Sequence, residues 1–230
     1  MTSLQENLHR VRQRIAQQCG VLGRDPQTVQ LLAVSKTFAL SAVLEAHQAG
    51  QQQFGENYIQ EGVEKIVACR ARSDCRDMVW HCIGPIQSNK TRLVATHFDW
   101  VHTVDRLKIA QRLSEQRPPD MPPMQICIQV NVDGGANKAG VAPDDALELG
   151  RQVAALPRLR LRGLMTIPEP APDYASALAP HRAAKALWDH MRAAGLEMDT
   201  LSMGMSADLE AALAAGSTMV RVGSAIFGSR

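Results

Sequence analysis

Hydrophobic positions along the chain change repeatedly between two spacings. Short apolar runs alternate with longer stretches in which apolar residues recur every three or four positions, as is typical of buried strands and amphipathic helices. Eight strands are predicted: Val29–Ser35, Gln52–Gly55, Met78–Gly84, Trp100–Val104, Met124–Val132, Leu161–Ile167, Thr200–Met203 and Thr218–Val222. The helices predicted between them are Leu40–Ala49, Gln60–Arg70, Asn89–Thr96, Arg106–Glu115, Pro143–Leu156, Tyr174–Ala194 and Ala207–Ala215.

One further helix is predicted before the first strand. Ser3 and Glu6 have the spacing of a capping box, in which each side chain bonds the other residue's backbone. The apolar residues that follow have helical spacing, and Gly20 stands where such a helix would end. This segment is therefore predicted to be a structural helix.

The alternation of eight strands with helices predicts an α/β fold, a single (β/α)8 TIM barrel with an extra N-terminal helix. An open doubly wound sheet stays possible, because periodicity does not distinguish a closed sheet from an open one. The proline-rich stretches 118–123 and 168–172 interrupt the alternation without ending it. We therefore expect residues 1–230 to form one domain.

Composition narrows the classes of partner. The chain has 45% hydrophobic and 21% charged residues, and its 25 basic residues are scattered among 23 acidic ones. With only nine aromatic residues, it has neither the basic stripe nor the stacking surface of a nucleic-acid-binding protein. No apolar run is long enough to span a membrane, and the five cysteines lack paired spacing. We expect a cytoplasmic protein, a monomer, without disulfides or bound metal.

Polar residues gather near the carboxyl ends of the predicted strands, where barrels of this kind build their sites. The positions concerned are Lys36, Glu56, Asn57, His81, Asp105, Asn131, Met165, the segment 203–206 and Arg221. A packing layer does not need a ring of this composition. It indicates a ligand site at that end of the barrel.

Lys36 is the most informative position in this ring. The chain has six lysines and nineteen arginines, so arginine is its usual cation, yet a lysine directly follows the apolar run 31–35. An amine at the mouth of a buried strand loses hydration, which frees its lone pair to attack a carbonyl. This favours a Schiff-base lysine, although a lysine that only extends from the barrel rim is an equal alternative at this point.

The last two strands suggest a phosphate site. Ser206 precedes a predicted helix and has Gly204 nearby, and Gly223 and Ser224 follow the eighth strand with free backbone amides and a hydroxyl. The loops after strands 7 and 8 are where barrels most often bind phosphate. Each feature alone could be an ordinary turn, but together they favour a phosphate-bearing ligand.

An amine and a phosphate site together require an aldehyde that also bears a phosphate. Pyridoxal 5'-phosphate (PLP) meets both requirements, and so does the substrate of a sugar-phosphate aldolase. Arg221 favours PLP, because arginine is a usual partner of the pyridine nitrogen. A protonated guanidinium would keep that nitrogen unprotonated and weaken the ring as an electron sink. Strong carbanion chemistry is then not expected.

Six runs of residues resemble the pyridoxal phosphate homeostasis protein family, also called YggS or PROSC. They span nearly the whole chain in order: Leu32–Thr37, Phe54–Tyr58, His81–Lys90, Arg160–Met165, Leu201–Ser206 and Val220–Gly228. The resemblance implies a barrel of the alanine racemase N-terminal type that carries PLP.

The resemblance also implies roles for individual residues. Lys36 resembles the lysine of the internal aldimine, and Arg221 resembles the partner of the pyridine nitrogen. Ser206, Gly223 and Ser224 resemble the phosphate site. The residues that resemble those around the ring are Asn57, His81 and Met203.

Three positions bear on how far the family pattern extends. Phe38 stands where relatives often have a lysine, and Ser224 replaces a common threonine while keeping the hydroxyl. Lys138 matches a loop lysine of the family and is a candidate for a second PLP site.

Two functions are compatible with these residues. The first is a carrier that holds PLP on Lys36 for intracellular vitamin B6 homeostasis and delivers it, with apo PLP-dependent enzymes as possible acceptors. The second is a racemase-like enzyme acting on amino acids. Racemisation needs a positioned base on the other face of the cofactor, which related enzymes obtain from an additional domain that 230 residues leave no room for. The sequence therefore favours the carrier.

Overall fold

Eight parallel strands close into a barrel at the centre of the computed structural model, which describes residues 3–134 and 139–228. Strand β1 pairs with β8 from Gln30 opposite Met219 to Ala33 opposite Val222. This pairing closes the sheet and excludes the open arrangement. The strands are β1 Gln30–Val34, β2 Gln53–Glu56, β3 Val79–Cys82, β4 Trp100–Val104, β5 Met124–Gln129, β6 Leu159–Met165, β7 Thr200–Ser202 and β8 Met219–Val222.

One helix precedes the barrel, and one follows each strand, which confirms the predicted (β/α)8 fold with its extra N-terminal helix. The first four are α1 Leu4–Val21, α2 Leu40–Gln48, α3 Ile59–Arg70 and α4 Thr91–His97. The others are α5 Leu107–Gln116, α6 Pro143–Ala154, α7 Tyr174–Ala193, α8 Leu209–Ala214 and α9 Ser224–Phe227. The short α9 was not predicted, because four residues are too few to show a helical period.

The largest boundary error concerns β5, which was predicted to continue to Val132 but ends at Gln129. Beyond it, Asn131 N–H donates to Val141 O, and Val141 N–H donates to Gln129 O. Val130 N–H still donates to Met165 O of β6, but Asn131 and Gln129 O pair with Val141, in the segment before α6. The apolar run that predicted β5 therefore extends beyond the residues that form the strand.

Helix α1 begins at the predicted capping box. Glu6 N–H donates to Ser3 Oγ over 3.2 Å, and Ser3 N–H donates to Glu6 Oε2 over 2.9 Å. The helix buries Leu8, Val11 and Ile15 against the barrel's outer shell. It also lies against α8 and α9, so the N-terminal helix braces the loops that follow the last two strands.

The barrel has two distinct cores. A large apolar layer fills the space between strands and helices and contains Phe54 and Trp80, whose ring centroids are 5.5 Å apart. Side chains at alternate strand positions point inward and form a second, smaller cluster. That inner cluster contains Leu32, Val34, Ile83, Trp100, Cys127, Met165 and Met219. Polar side chains share the barrel interior with it.

Among the described residues, we find no helix that combines the length and apolar character needed to cross a bilayer. The same residues include no group of three His, Cys, Asp or Glu side chains placed to hold a metal ion. All five cysteines are buried and unpaired.

Candidate functional site

A cavity of about 510 Å³ opens at the carboxyl end of the barrel, between the loops that follow strands β1, β2, β3, β6, β7 and β8. Its size is in the range of small-molecule binding sites. Six of the eight residues predicted to contact a cofactor line it: Lys36, Asn57, Ser206, Arg221, Gly223 and Ser224. Four other residues of the predicted polar ring, Glu56, Asp105, Asn131 and Met165, do not.

Lys36 reaches the cavity because of strand alternation. Leu32 and Val34 of β1 point into the barrel, and Lys36 continues that alternation one step beyond the strand end. The side chain is half-buried. By contrast, Lys65 is buried and bonded to three oxygens, and Lys185 donates to Asp189. Among the described lysines, Lys36 is the one that lines this cavity.

Asn57 directly follows β2, the strand that pairs with β1 next to Lys36. Its position depends on Gly84, because a Cβ at residue 84 would lie 2.0 Å from Asn57 O. The Asn57 Oδ1 atom is buried and accepts no hydrogen bond from a described group. A buried acceptor without a partner is costly, so this atom favours a ligand that donates a hydrogen bond.

Arg221 lies on β8, deep in the cavity, where its register partner on β1 is Leu32. Its Nη1 donates to Ser202 Oγ and its Nη2 donates to Thr166 O, both over 2.8 Å. Burial lowers the pKa of this guanidinium to about 10, so it stays charged at neutral pH. Two protein oxygens therefore hold a buried cation whose remaining N–H groups are available at the cavity.

A chain of hydrogen bonds extends from Arg221 across the barrel interior. Ser202 Oγ lies 2.9 Å from His102 Nδ1, and His102 Nε2 lies 2.9 Å from His81 Nδ1. His81 Nε2 lies 2.6 Å from Gln53 Oε1. Because Arg221 only donates and Gln53 Oε1 only accepts, one set of tautomers satisfies every bond. In that set, each histidine carries its proton on Nε2.

Burial keeps both histidines neutral. It lowers the pKa of His81 to about 3, and it lowers the pKa of His102 well below the ordinary value, helped by the charge of Arg221. The neutral rings let the chain support Arg221 without adding a second positive charge beside it.

His81 therefore occupies a different place from the one predicted. It is fully buried inside the barrel, stacked on Trp100 at 5.1 Å between ring centroids, and it does not line the cavity. Its predicted contact with the cofactor ring is not supported by this position, because β3 places Ile83, and not His81, at the cavity. His81 reaches the site only through His102, Ser202 and Arg221.

Met203 is also absent from the cavity lining. It is fully buried in the apolar layer outside the strands, since Ser202 points inward and the next residue must point outward. Met205, two residues further on, lies at the cavity instead. The loop after β7 thus presents Met205, and not the predicted Met203, to the cavity.

Sequence reasoning missed Ser202, His102 and Thr166. Ser202 and His102 share the inward alternation of their strands, and that shared face was the available signal. Their mutual contact could not be read from the sequence, because 100 residues separate them in the chain.

The turn that contains Ser206 is built by Asp208. Its carboxylate accepts the Met205 N–H over 2.6 Å and bonds His181 Nε2 over 2.9 Å. Helix α8 consequently begins at Leu209, and Ser206 lies in the preceding turn, not at the helix start that the sequence predicted. Arg14 of α1 donates to Ser206 O over 2.9 Å and fixes the turn from outside.

The second turn follows β8. A Cβ at Gly223 would lie 3.2 Å from Val34 O, so glycine permits the close approach of this turn to β1. Ser224 begins α9. The Ile226 and Phe227 N–H groups donate to Gly223 O, which leaves the Ser224 and Ala225 N–H groups without a carbonyl partner at the start of the helix. The hydroxyls of Ser206 and Ser224 and these amides form a cradle suited to a tetrahedral oxyanion.

Apolar side chains complete the cavity. Val34, Ile83 and Ile167 supply walls on which a flat ring could pack. Phe38 also lines the cavity and stacks on Phe227 of α9, with 5.0 Å between ring centroids. The residue that replaces a common family lysine thus packs against the cradle. Lys138, the candidate for a second site, lies outside the described residues.

The sequence and the fold of the chain are similar to those of known proteins. The sequence profile of the alanine racemase N-terminal domain family matches residues 1–230. A pyridoxal phosphate homeostasis protein of Pseudomonas aeruginosa is 54% identical over 230 residues, which are 100% of this chain and 97% of that protein. The structure of PipY from Synechococcus elongatus with PLP bound superposes with a TM-score of 0.81 at 36% identity, covering 93% of this chain and 100% of that one.

A more distant neighbour shows the fold alone. An alanine racemase of Clostridium difficile superposes with a TM-score of 0.72 at 15% identity. The match covers 95% of this chain and 56% of the racemase chain.

Proposed function

The chain belongs to the pyridoxal phosphate homeostasis protein family, and from that membership we propose that it binds pyridoxal 5'-phosphate reversibly in the cavity and holds it on Lys36. The observation that carries the proposal is the meeting of three groups around one cavity: an amine, a buried cation and a cradle of hydroxyls and amides. When bound, PLP supplies a reactive aldehyde and an electron-withdrawing pyridine ring.

Each group has a role in holding that ligand. Lys36 would hold the ligand covalently through its amine, and the aldehyde of PLP would supply the reactive carbon. Ser206, Ser224 and the amides that follow Gly223 hold the phosphate. Arg221 would hold the pyridine nitrogen through a guanidinium N–H group.

The same geometry favours a carrier over a racemase-like enzyme. A guanidinium that stays protonated leaves the pyridine nitrogen without a proton, which weakens the ring as an electron sink. Among the described residues that line the cavity, Lys36 and Arg221 are the two with ionisable side chains. A second acid or base, which proton exchange at an amino-acid α-carbon requires, does not face the ligand from these residues.

The first experiment tests attachment. Purified protein is incubated with PLP, reduced with borohydride, and digested for peptide mapping by mass spectrometry. We expect a visible absorbance band and a reduced adduct on Lys36. Lys36→Ala should lose both, while Lys108→Ala, which removes an exposed lysine on α5, should retain both.

An adduct on Lys138 in the Lys36→Ala variant would contradict the assignment of Lys36. The second experiment tests delivery: loaded protein is mixed with an apo PLP-dependent enzyme, and recovery of that enzyme's activity is followed. Recovery faster than with the same concentration of free PLP would support transfer. Racemisation of L-alanine by the loaded protein alone, followed by chiral chromatography, would instead support the enzyme.

A further inference from the structure

The backbone directly after Lys36 has an uncommon conformation. Thr37 has φ of 65°, in the left-handed region that β-branched residues avoid. A residue of this kind stays there only where its surroundings hold it. The turn is also the point where the chain leaves β1 and determines how Lys36 meets the cavity.

A cluster of charged side chains holds both neighbours of Lys36. Glu61 Oε1 accepts the Thr37 N–H over 2.5 Å. Lys65 Nζ donates to Glu61 Oε1 over 2.7 Å and to Ser35 O over 2.8 Å. The residue before Lys36 and the residue after it are thus tied to the same helix, α3.

The cluster continues to β2, and its Lys65 and Glu56 members are buried, whereas the Glu61 side chain is 29% exposed. Lys65 Nζ also donates to Glu56 Oε1 over 2.8 Å, and Ser35 Oγ donates to the same oxygen over 2.5 Å. The Lys65 and Glu56 side chains are 7% and 0% exposed. Gly62 makes room for this arrangement, because a Cβ there would lie 3.1 Å from Glu56 Cβ. Glu56 Oε1 thus accepts two hydrogen bonds, whereas buried Glu56 Oε2 has no partner among the described groups, and the bonds of Lys65 join α3, β2 and the end of β1 in one anchor.

We propose that Glu61 and Lys65 are positioning residues for Lys36. They hold Thr37 in its left-handed conformation, and the turn in that conformation aims the Lys36 amine into the cavity. The consequence for PLP rests on the proposed function, whereas the effect on the orientation of Lys36 does not. Neither Glu61 nor Lys65 touches the cavity, so both act through the backbone on either side of Lys36.

Glu61→Ala is the decisive variant, because it removes the acceptor of the Thr37 N–H and leaves the Lys65–Glu56 pair intact. The matched control is Glu64→Ala, which removes an exposed carboxylate from the same helix. The rescue variant is Glu61→Ala with Thr37→Gly. Glycine adopts positive φ readily, so the double variant restores the turn without restoring the hydrogen bond. The Thr37→Gly single variant is its reference.

The first readout needs no cofactor. Limited acetylation with acetic anhydride, followed by mass spectrometry, measures the reactivity of Lys36 relative to exposed Lys108 in the same chain. We expect the reactivity of Lys36 relative to Lys108 to rise about threefold in Glu61→Ala. Without the hydrogen bond from Thr37 N–H, the strained turn relaxes, and the Lys36 amine moves from its half-buried position at the cavity towards solvent. This ratio should stay unchanged in Glu64→Ala and return to the wild-type value in the double variant.

The second readout is the rate of covalent attachment of PLP, which we expect to fall about tenfold in Glu61→Ala and to recover in the double variant. Unchanged ratio and rate in Glu61→Ala would overturn the proposal. Changes that Thr37→Gly does not reverse would also overturn it, since they would show that the cluster acts through general stability. If the acetylation results agree and wild-type protein takes up no PLP, the proposed function fails while the positioning role stands.

Discussion

The layer outside the barrel strands and the space inside them are both buried, but they are filled according to different rules. Outside, apolar side chains such as Phe54, Trp80 and Met203 pack without direction. Inside, His81, His102 and Arg221 are equally buried and are joined by hydrogen bonds in one fixed donor order. The buried fraction of a side chain therefore does not distinguish the apolar outer layer from the hydrogen-bonded interior of the barrel.

Because of this difference, substitutions in the two regions should affect the free energy of unfolding and the affinity for ligand in different proportions. Loss of an apolar contact outside the barrel costs free energy wherever it occurs, roughly in proportion to the cavity left behind. Loss of one hydrogen bond inside the barrel also changes the orientation of the Arg221 guanidinium, because each bond of the chain orients the next group. The outer layer should therefore control unfolding, and the inner chain should also control the ligand site.

The largest expected effect tests the outer layer. Phe54→Ala removes a fully buried ring and should lower the free energy of unfolding by about 3–5 kcal/mol, measured by urea denaturation. Val67→Ala is the control, since Val67 is 52% exposed on α3, and it should change that free energy by less than about 0.5 kcal/mol. We expect the PLP affinity of folded Phe54→Ala protein to match wild type. A large loss of affinity in that variant would erase the distinction between the two layers.

A smaller effect on stability should follow from Ser202→Ala, together with a change at the site. The substitution removes the acceptor of Arg221 Nη1 and the donor to His102, which should cost about 1–3 kcal/mol in unfolding. PLP affinity, measured by fluorescence titration, should fall about threefold to tenfold.

Ser114→Ala sharpens that test. It deletes a buried hydroxyl outside the barrel, which donates to Pro157 O, so it should lower stability by a similar amount. Its affinity for PLP should not change. Equal losses of affinity in Ser114→Ala and Ser202→Ala would show that the inner chain has no special link to the site.

The smallest expected effect is a dependence of stability on pH. His81 has a pKa of about 3 in the folded protein and an ordinary value of about 6.5 when unfolded. Below pH 6.5 the unfolded chain binds a proton that the folded chain excludes, so this contribution to stability is present above 6.5 and is lost towards pH 3. Between pH 7 and pH 5.5 the loss is about 1 kcal/mol.

Urea denaturation at several pH values measures this contribution. His81→Gln should reduce the slope over that interval, and the part of the slope due to the lowered pKa of His102 should remain. His9→Gln, which removes an exposed histidine of α1, should leave the slope unchanged. A curve with the same slope in wild type and His81→Gln would contradict the neutral, buried state of His81.

The fold was largely predictable because it rests on local periodicity. Most strands and helices have enough residues to show their period, and the number of strands with intervening helices indicated a parallel barrel. The predictions were wrong for very short elements and for boundaries that depend on pairing with another segment. Helix α9 has four residues, and the end of β5 depends on Val141, which lies outside the strand.

The site divides in the same way. The sequence by itself determined that Lys36, Arg221 and the serines of the last two loops lie at one end of the barrel, because parallel strands bring their carboxyl ends together. Only the tertiary structure decided that His81 supports Arg221 from inside, that Met203 faces away, and that Glu61 holds Thr37. The physical reason is that strand order places residues at an end of the barrel. Side-chain direction and partners depend on contacts between segments that are distant in the chain.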